Sequence, residues 1–356
     1  MPLRGGPKTG RTLDAETPRR ATVWRHIRAL RHQPPGRARD GQRREVFCAA
    51  LEQAEQLYAA AETVGDAARP ILVFYGLSQA GRAVAAASTE VDDEHFTLSG
   101  HGISVVNLRP GSPLHELTVA DKGKGSFTQL APLLRSGTLP GGATLDDIWT
   151  SIPSLLGQPL GDGEYPLWPL RFEPHSVQGV AGTRREIVAW VRGLPLWPLT
   201  NGDPGQAVAD YLRHYPALAE SGQSHLVPDP FSPDEQQGGA VKALRCWPWA
   251  GPVDPASVQR FLWEFGESRT LPYLGDDDRW VFPRLGGGEI PLHPLLAWWA
   301  LLFVLSMVAR YEPASWTRHL DVDAHFTAVK LASALSLALD TCPQLILHAI
   351  RAVGGL

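Results

Sequence analysis

His293-Pro-Leu-Leu-Ala-Trp-Trp-Ala-Leu-Leu-Phe-Val-Leu-Ser-Met-Val-Ala-Arg-Tyr-Glu312 reads as a helix that is apolar on every side until its last turn. Pro294 suits a first helical turn, where an amide hydrogen would lack an intrahelical partner, and Pro313 ends the helix at Glu312. A helix without a polar face belongs inside a fold. His293 and Pro294 interrupt the run and leave about fifteen apolar positions, fewer than the roughly 20 that cross a bilayer. The expectation is therefore a core helix of a cytoplasmic protein with no membrane partner.

Working outward, Pro70 opens a second nearly all-apolar helix that runs to about Ser88 and carries a short polar insert, Phe74-Tyr-Gly-Leu-Ser-Gln-Ala-Gly-Arg-Ala83. Before it, Arg43 to Thr63 sets Phe47, Ala50, Leu51, Ala54, Leu57, Tyr58 and Ala61 against Glu45, Glu52, Glu55 and Glu62, the pattern of an amphipathic helix. Residues 90–290 change texture. Short β-like runs (Gly102 to Leu108, Ile187 to Val191, Val241 to Trp247, Arg279 to Phe282) alternate with Gly/Pro turns, and helical patterns return at Gln206 to Ala219 and Pro255 to Phe265. The pentapeptide Pro-Leu-Trp-Pro-Leu occurs twice, from Pro166 and from Pro195, which is too little for a solenoid. After residue 291 the chain is helical again: a short helix from Ala314 to Leu320, a Leu/Ala-rich one from Phe326 to Leu339, and a last one starting at Pro343. These elements predict an α+β fold, predominantly helical, with N- and C-terminal helices packed together around a β- and loop-rich middle.

Charge separates the head from the rest. The whole chain carries a net charge of -4, yet residues 1–44 hold twelve Arg or Lys against three acids. Charge, Gly and Pro without apolar burial predict a disordered basic tail over residues 1–22, and one domain over 23–356, helical at 43–88 and 291–353. The alternative for the tail is a nucleic-acid-binding arm, the one route by which nucleic acid would be a partner. Three widely spaced cysteines, Cys48, Cys246 and Cys342, offer neither a disulfide framework nor a metal pair, which favours a reducing compartment. No His-Glu-x-x-His, Cys-x-x-Cys or Gly-x-Ser-x-Gly occurs. Asp276-Asp-Asp278 lacks Ca²⁺-loop spacing, so no metal site is expected and no cofactor is implied.

Candidate binding residues come from polar groups placed on apolar helices. Tyr75, Ser78, Gln79 and Arg82 share one helical stripe, flanked by Gly76 and Gly81, which would admit a close backbone or a ligand. Arg82, expected to be buried, requires a carboxylate of the protein or an anion. Arg310-Tyr311-Glu312 ends the long apolar helix, where Arg310 either complements the negative helix terminus or meets a ligand. Between them lie Gly100-His-Gly102, which presents His101 on a tight backbone, and Asp121-Lys-Gly-Lys-Gly-Ser126, whose Lys124 and amides either form a surface turn or receive an anion. Together Tyr75, Ser78, Arg82, His101, Lys124, Arg310 and Tyr311 suggest a site for a small anionic or nucleotide-like ligand. Catalytic residues are not identified, and whether the protein is an enzyme stays open.

Val46-Phe-Cys-Ala-Ala-Leu-Glu-Gln-Ala-Glu-Gln-Leu57, Pro70 through Arg82, Gly100-His-Gly102 and His293 through Pro313, in this order, resemble the YaaC-like family of bacterial proteins from about Trp24 to the C-terminus. The resemblance implies one intact domain in the bacterial cytoplasm and supplies no reaction. Arg318 and His325, together with Phe74-Tyr-Gly-Leu77, are similar to the Arg/His signature of HEPN-type ribonucleases, which implies RNA cleavage if both side chains converge on one phosphate. A third reading is a regulatory interaction protein that docks through the Trp/Pro-rich middle.

Overall fold

The computed structural model describes residues 20–161, 167–178, 185–195, 204–219, 221, 225–228, 241–249, 254–274 and 279–356. The fold is α+β. Its N-terminal helices are α1 (Arg20–His32), α2 (Gly41–Thr63) and α3 (Arg69–Ala87). The middle contributes α4 (Ser126–Leu133), α5 (Leu145–Thr150), α6 (Pro204–Leu212) and α7 (Pro255–Arg269). The C-terminal part is α8 (Pro294–Tyr311), α9 (Pro313–His319) and α10 (Thr327–Val353).

The apolar stripe of α2 is buried as its spacing predicts, through Phe47, Ala50, Leu51, Ala54, Tyr58 and Ala61. It packs most extensively on α3, which in turn lies against α8 and α10, while α1 rests on α10 and α2. The chain's two ends thus share one core. Among the described residues two helices, α8 and α10, are long and apolar enough to cross a membrane, and 83% and 67% of an apolar 18-residue stretch in each is buried within the fold. At the start of α8 the ring of His293 acts as the cap, its Nδ1 accepting from the amide of Leu295 at 3.1 Å.

Two antiparallel sheets lie between. The small one orders β1 (Ile103–Val105), β2 (Thr118–Asp121) and β3 (Ala143–Thr144) as β1-β2-β3, with Ile103 opposite Asp121. The larger sheet runs β6-β7-β5-β4-β9-β8, built from β4 (Leu170–Gln178), β5 (Arg185–Leu194), β6 (His225–Pro228), β7 (Val241–Trp249), β8 (Leu271–Pro272) and β9 (Arg279–Val281). It has its own apolar core, with Phe172, Val191, Tyr211, Tyr215, Trp247 and Phe265 buried together. Strand β9 straddles both cores, since Trp280 belongs to the helical cluster and Val281 to that of the sheet.

Three expectations change. The chain is already helical at Arg20, within the span expected to be tail: Arg20 pairs with Glu62 and Asp340, and Val23, Trp24 and Ile27 are buried. Pro343 does not start a helix but lies inside α10, buried between Cys342, Leu345 and Ile346. A proline there costs about 3 kcal/mol in a helix interior, which the surrounding apolar burial offsets. Strand β4 and helices α4 and α5 are elements that the sequence reading does not place. Residues 1–19, the triplet Asp276-Asp-Asp278 and most of the second Pro-Leu-Trp-Pro-Leu pentapeptide lie outside the described residues.

Candidate functional site

Three of the expected residues meet where the C-terminal end of α8 passes the middle of α3. Arg310 Nη1 donates to the hydroxyl of Tyr75 at 2.6 Å. Its guanidinium carbon lies 5.8 Å from the Tyr75 ring centre and 5.1 Å from that of Tyr311. Tyr311 itself is 58% exposed. Among the described residues no carboxylate pairs with Arg310; its hydrogen-bond partner is a neutral phenol.

His101 joins this corner from the loop before β1. Its ring centre is 5.7 Å from that of Phe74 and 5.3 Å from that of Phe303, and the two phenylalanines are themselves 5.4 Å apart, so the imidazole closes a triangle of rings. Burial lowers the His101 pKa below the ordinary histidine value, and the nearby charge of Arg310 lowers it further. The imidazole is accordingly neutral at pH 7.

The backbone that presents His101 is fixed by close approach. Gly102 has φ of 77°, and a Cβ there would sit 2.9 Å from the carbonyl carbon of Gly125. The two loops are stitched together: Lys122 N donates to Gly102 O, Ser126 N and Oγ to Gly100 O, and Phe127 N to His101 O. These bonds consume the amides at the start of α4 that an anion would need, and Lys124 is exposed. The Lys-Gly-Lys-Gly-Ser segment therefore serves as the strut that holds His101.

Ser78 lies one turn beyond Tyr75 on α3 and is half-buried. Arg82 is exposed, which corrects the expectation of a buried guanidinium. It stands seven residues from Tyr75, about 10 Å of helical rise, and no carboxylate pairs with it among the described residues. Gly81 beside it faces the core, where a Cβ would meet the Trp299 ring at 2.7 Å. Gly76 likewise admits the Tyr58 ring, at 2.7 Å. The glycines of this stripe thus make room for aromatic rings of the protein.

An arginine that is buried is Arg43, 4% exposed at the start of α2. Its Nε meets Asp93 at 2.7 Å, Nη1 reaches the carbonyls of Ala86 and Ser88, Nη2 those of Val91 and Asp92, and the Phe96 ring covers it at 4.7 Å. Every donor is occupied, so Arg43 is a clasp for the chain leaving α3. Residues that flank His101, Phe74 and Phe303, were also missed as site residues. One signal was available: Phe303 precedes Arg310 by seven residues on the same helical face.

Arg318 and His325 stand on either side of a helix break. Arg318 is exposed in the last turn of α9, and the His325 ring packs 4.7 Å from the buried His319. Burial lowers the His319 pKa, as do the charges of His325 and Arg318. Among the described residues no group of three His, Cys, Asp or Glu is gathered that could hold a metal ion.

A family model described as YaaC-like Protein matches residues 13–350. No curated protein and no solved structure matches the chain.

Proposed function

The chain belongs to the YaaC-like family, and from its side-chain geometry we propose that it binds a small anionic, nucleotide-like ligand at the corner formed by Arg310, Tyr75 and His101. One observation carries the reading: a guanidinium at a helix end engages a phenol instead of a carboxylate. A helix C-terminus explains a cation there, but one hydrogen bond to Tyr75 leaves most of the five guanidinium donors for a carboxylate or phosphate. Tyr75, accepting from Arg310, still has its own hydroxyl proton to donate. Neutral His101 is poised to add a further hydrogen bond, and exposed Tyr311 offers a face for a planar base. The bacterial cytoplasm is part of this proposal, supported by α8 and α10 being core helices.

The test is thermal stabilisation and calorimetry with inorganic phosphate, AMP and ATP. A bound ligand at a hundredfold excess over its Kd stabilises the fold by about 2.7 kcal/mol. Arg310→Met abolishes that gain while the apo protein keeps its Tm, and Arg82→Met, two turns beyond Tyr75 on α3, retains it. Undiminished stabilisation in Arg310→Met refutes the site.

A further inference from the structure

His101 is held where two helices and a loop meet. Its ring closes on Phe74 of α3 at 5.7 Å and on Phe303 of α8 at 5.3 Å. The Phe74 ring lies in turn 5.5 Å from that of Tyr75, whose hydroxyl accepts from Arg310 Nη1. Arg310 follows Phe303 by two turns of α8, and side chains on a helix lean back toward its N-terminus, so the guanidinium reaches toward the imidazole rather than away from it. Two groups able to carry positive charge thus share one corner, with aromatic rings in place of water on two sides of the imidazole.

From α8 His101 faces Arg310, whose charge acts on it. Helix α3 contributes the Tyr75 phenol, already bound to Arg310. The loop stitched to His101 contributes Asp121, Lys122 and Lys124. The Asp121 carboxylate accepts the amide of Leu139, and both lysines are exposed. In the protein alone a proton on His101 is opposed by burial and, secondarily, by Arg310. A phosphate resting on Arg310 reverses that balance, because it neutralises the guanidinium and offers the imidazole a charged acceptor. Resting on the anion-binding reading above, we infer that His101 is the proton switch of that site: a phosphate group that engages Arg310 draws a proton from solvent onto His101, so binding consumes a proton and affinity rises as pH falls. The complex holds this proton more tightly than the free protein does. Affinity is therefore greatest below both titration points and declines as pH rises through the upper one, by up to about tenfold per pH unit.

Calorimetry of the full chain with inorganic phosphate, AMP and ATP, in two buffers of different ionisation heat at about pH 6.5, counts the protons taken up. The probes titrate by themselves near pH 6, and this part is removed by subtracting the uptake of His101→Gln, which keeps a hydrogen-bonding group and cannot titrate. The wild type takes up more protons than the variant, and its Kd falls more steeply between about pH 8 and about pH 6. His101→Phe, which keeps a ring between Phe74 and Phe303, carries the same comparison if glutamine lowers the Tm. Equal proton uptake and parallel pH profiles in wild type and variants, with binding still lost in Arg310→Met, overturn the switch and leave the ligand site standing. Binding that survives Arg310→Met, or no binding of any of the three probes, overturns both.

Discussion

His293 makes the stability of this fold sensitive to acid in a way one substitution can isolate. The ring is buried, 6% exposed, and its Nδ1 accepts the Leu295 amide at 3.1 Å, so Nδ1 must stay unprotonated for the cap to exist. Burial, with a smaller contribution from His348, pushes its pKa down to about 3. In the unfolded chain the same group titrates near 6.5. Between these values the unfolded state binds a proton that the folded state refuses, so the stabilisation is complete above about pH 6.5 and is lost progressively as pH falls toward 3. At 1.36 kcal/mol per pH unit, lowering the pH to about 5 costs the fold about 2 kcal/mol through this residue. His101, His214 and His319 also have lowered pKa values and add to acid sensitivity. They are common to wild type and variant and cancel in the difference. His293→Asn keeps a capping acceptor and removes the titration. Urea denaturation at neutral pH and at about pH 5 should show the variant losing about 2 kcal/mol less than the wild type. Identical losses in the two proteins would refute the assignment of His293 as a buried, neutral cap.

Arg43→Lys should destabilise the fold by about 3 kcal/mol or more, because one ammonium cannot reach Asp93 and four carbonyls and leaves several buried acceptors unpaired; denaturant titration measures this, and a change below 1 kcal/mol would contradict the clasp. Gly81→Ala places a Cβ 2.7 Å from the Trp299 ring and 2.8 Å from Leu130. The overpacking should cost about 1–3 kcal/mol, read as a fall in Tm with a change in tryptophan fluorescence.

Most of the helical scaffold was legible because it follows from local periodicity. The stripe of α2, the proline at the start of α3 and the span of α8 needed no knowledge of their neighbours. Strand β4 was not legible: Leu-Arg-Phe-Glu-Pro-His-Ser-Val-Gln contains a proline, and only the register shift between Pro174 and Ser176 opposite β5 accommodates it. Helix α1 was hidden by its arginines, although Val23, Trp24 and Ile27 mark one buried face. The site shows the same division. Arg310 and Tyr75 stood out as polar groups on apolar helices, whereas Arg43 was invisible because its acceptors are carbonyls of residues 86–92, more than forty positions away. Arg82 misled for the complementary reason. A residue on an otherwise buried helix can still occupy the one face that no other element covers.

The packing of α1 against α10 has a consequence for biosynthesis. The helical core is assembled from both extremities of the chain, with the large sheet inserted between them. During translation Trp24, Phe47 and Phe74 leave the ribosome long before α8 and α10, the helices that complete the shared core. Residues 170–281 can gather around their own cluster in that interval. The N-terminal helices must wait with uncovered apolar faces until α8 and α10 have been made, and in that interval those faces are open to aggregation.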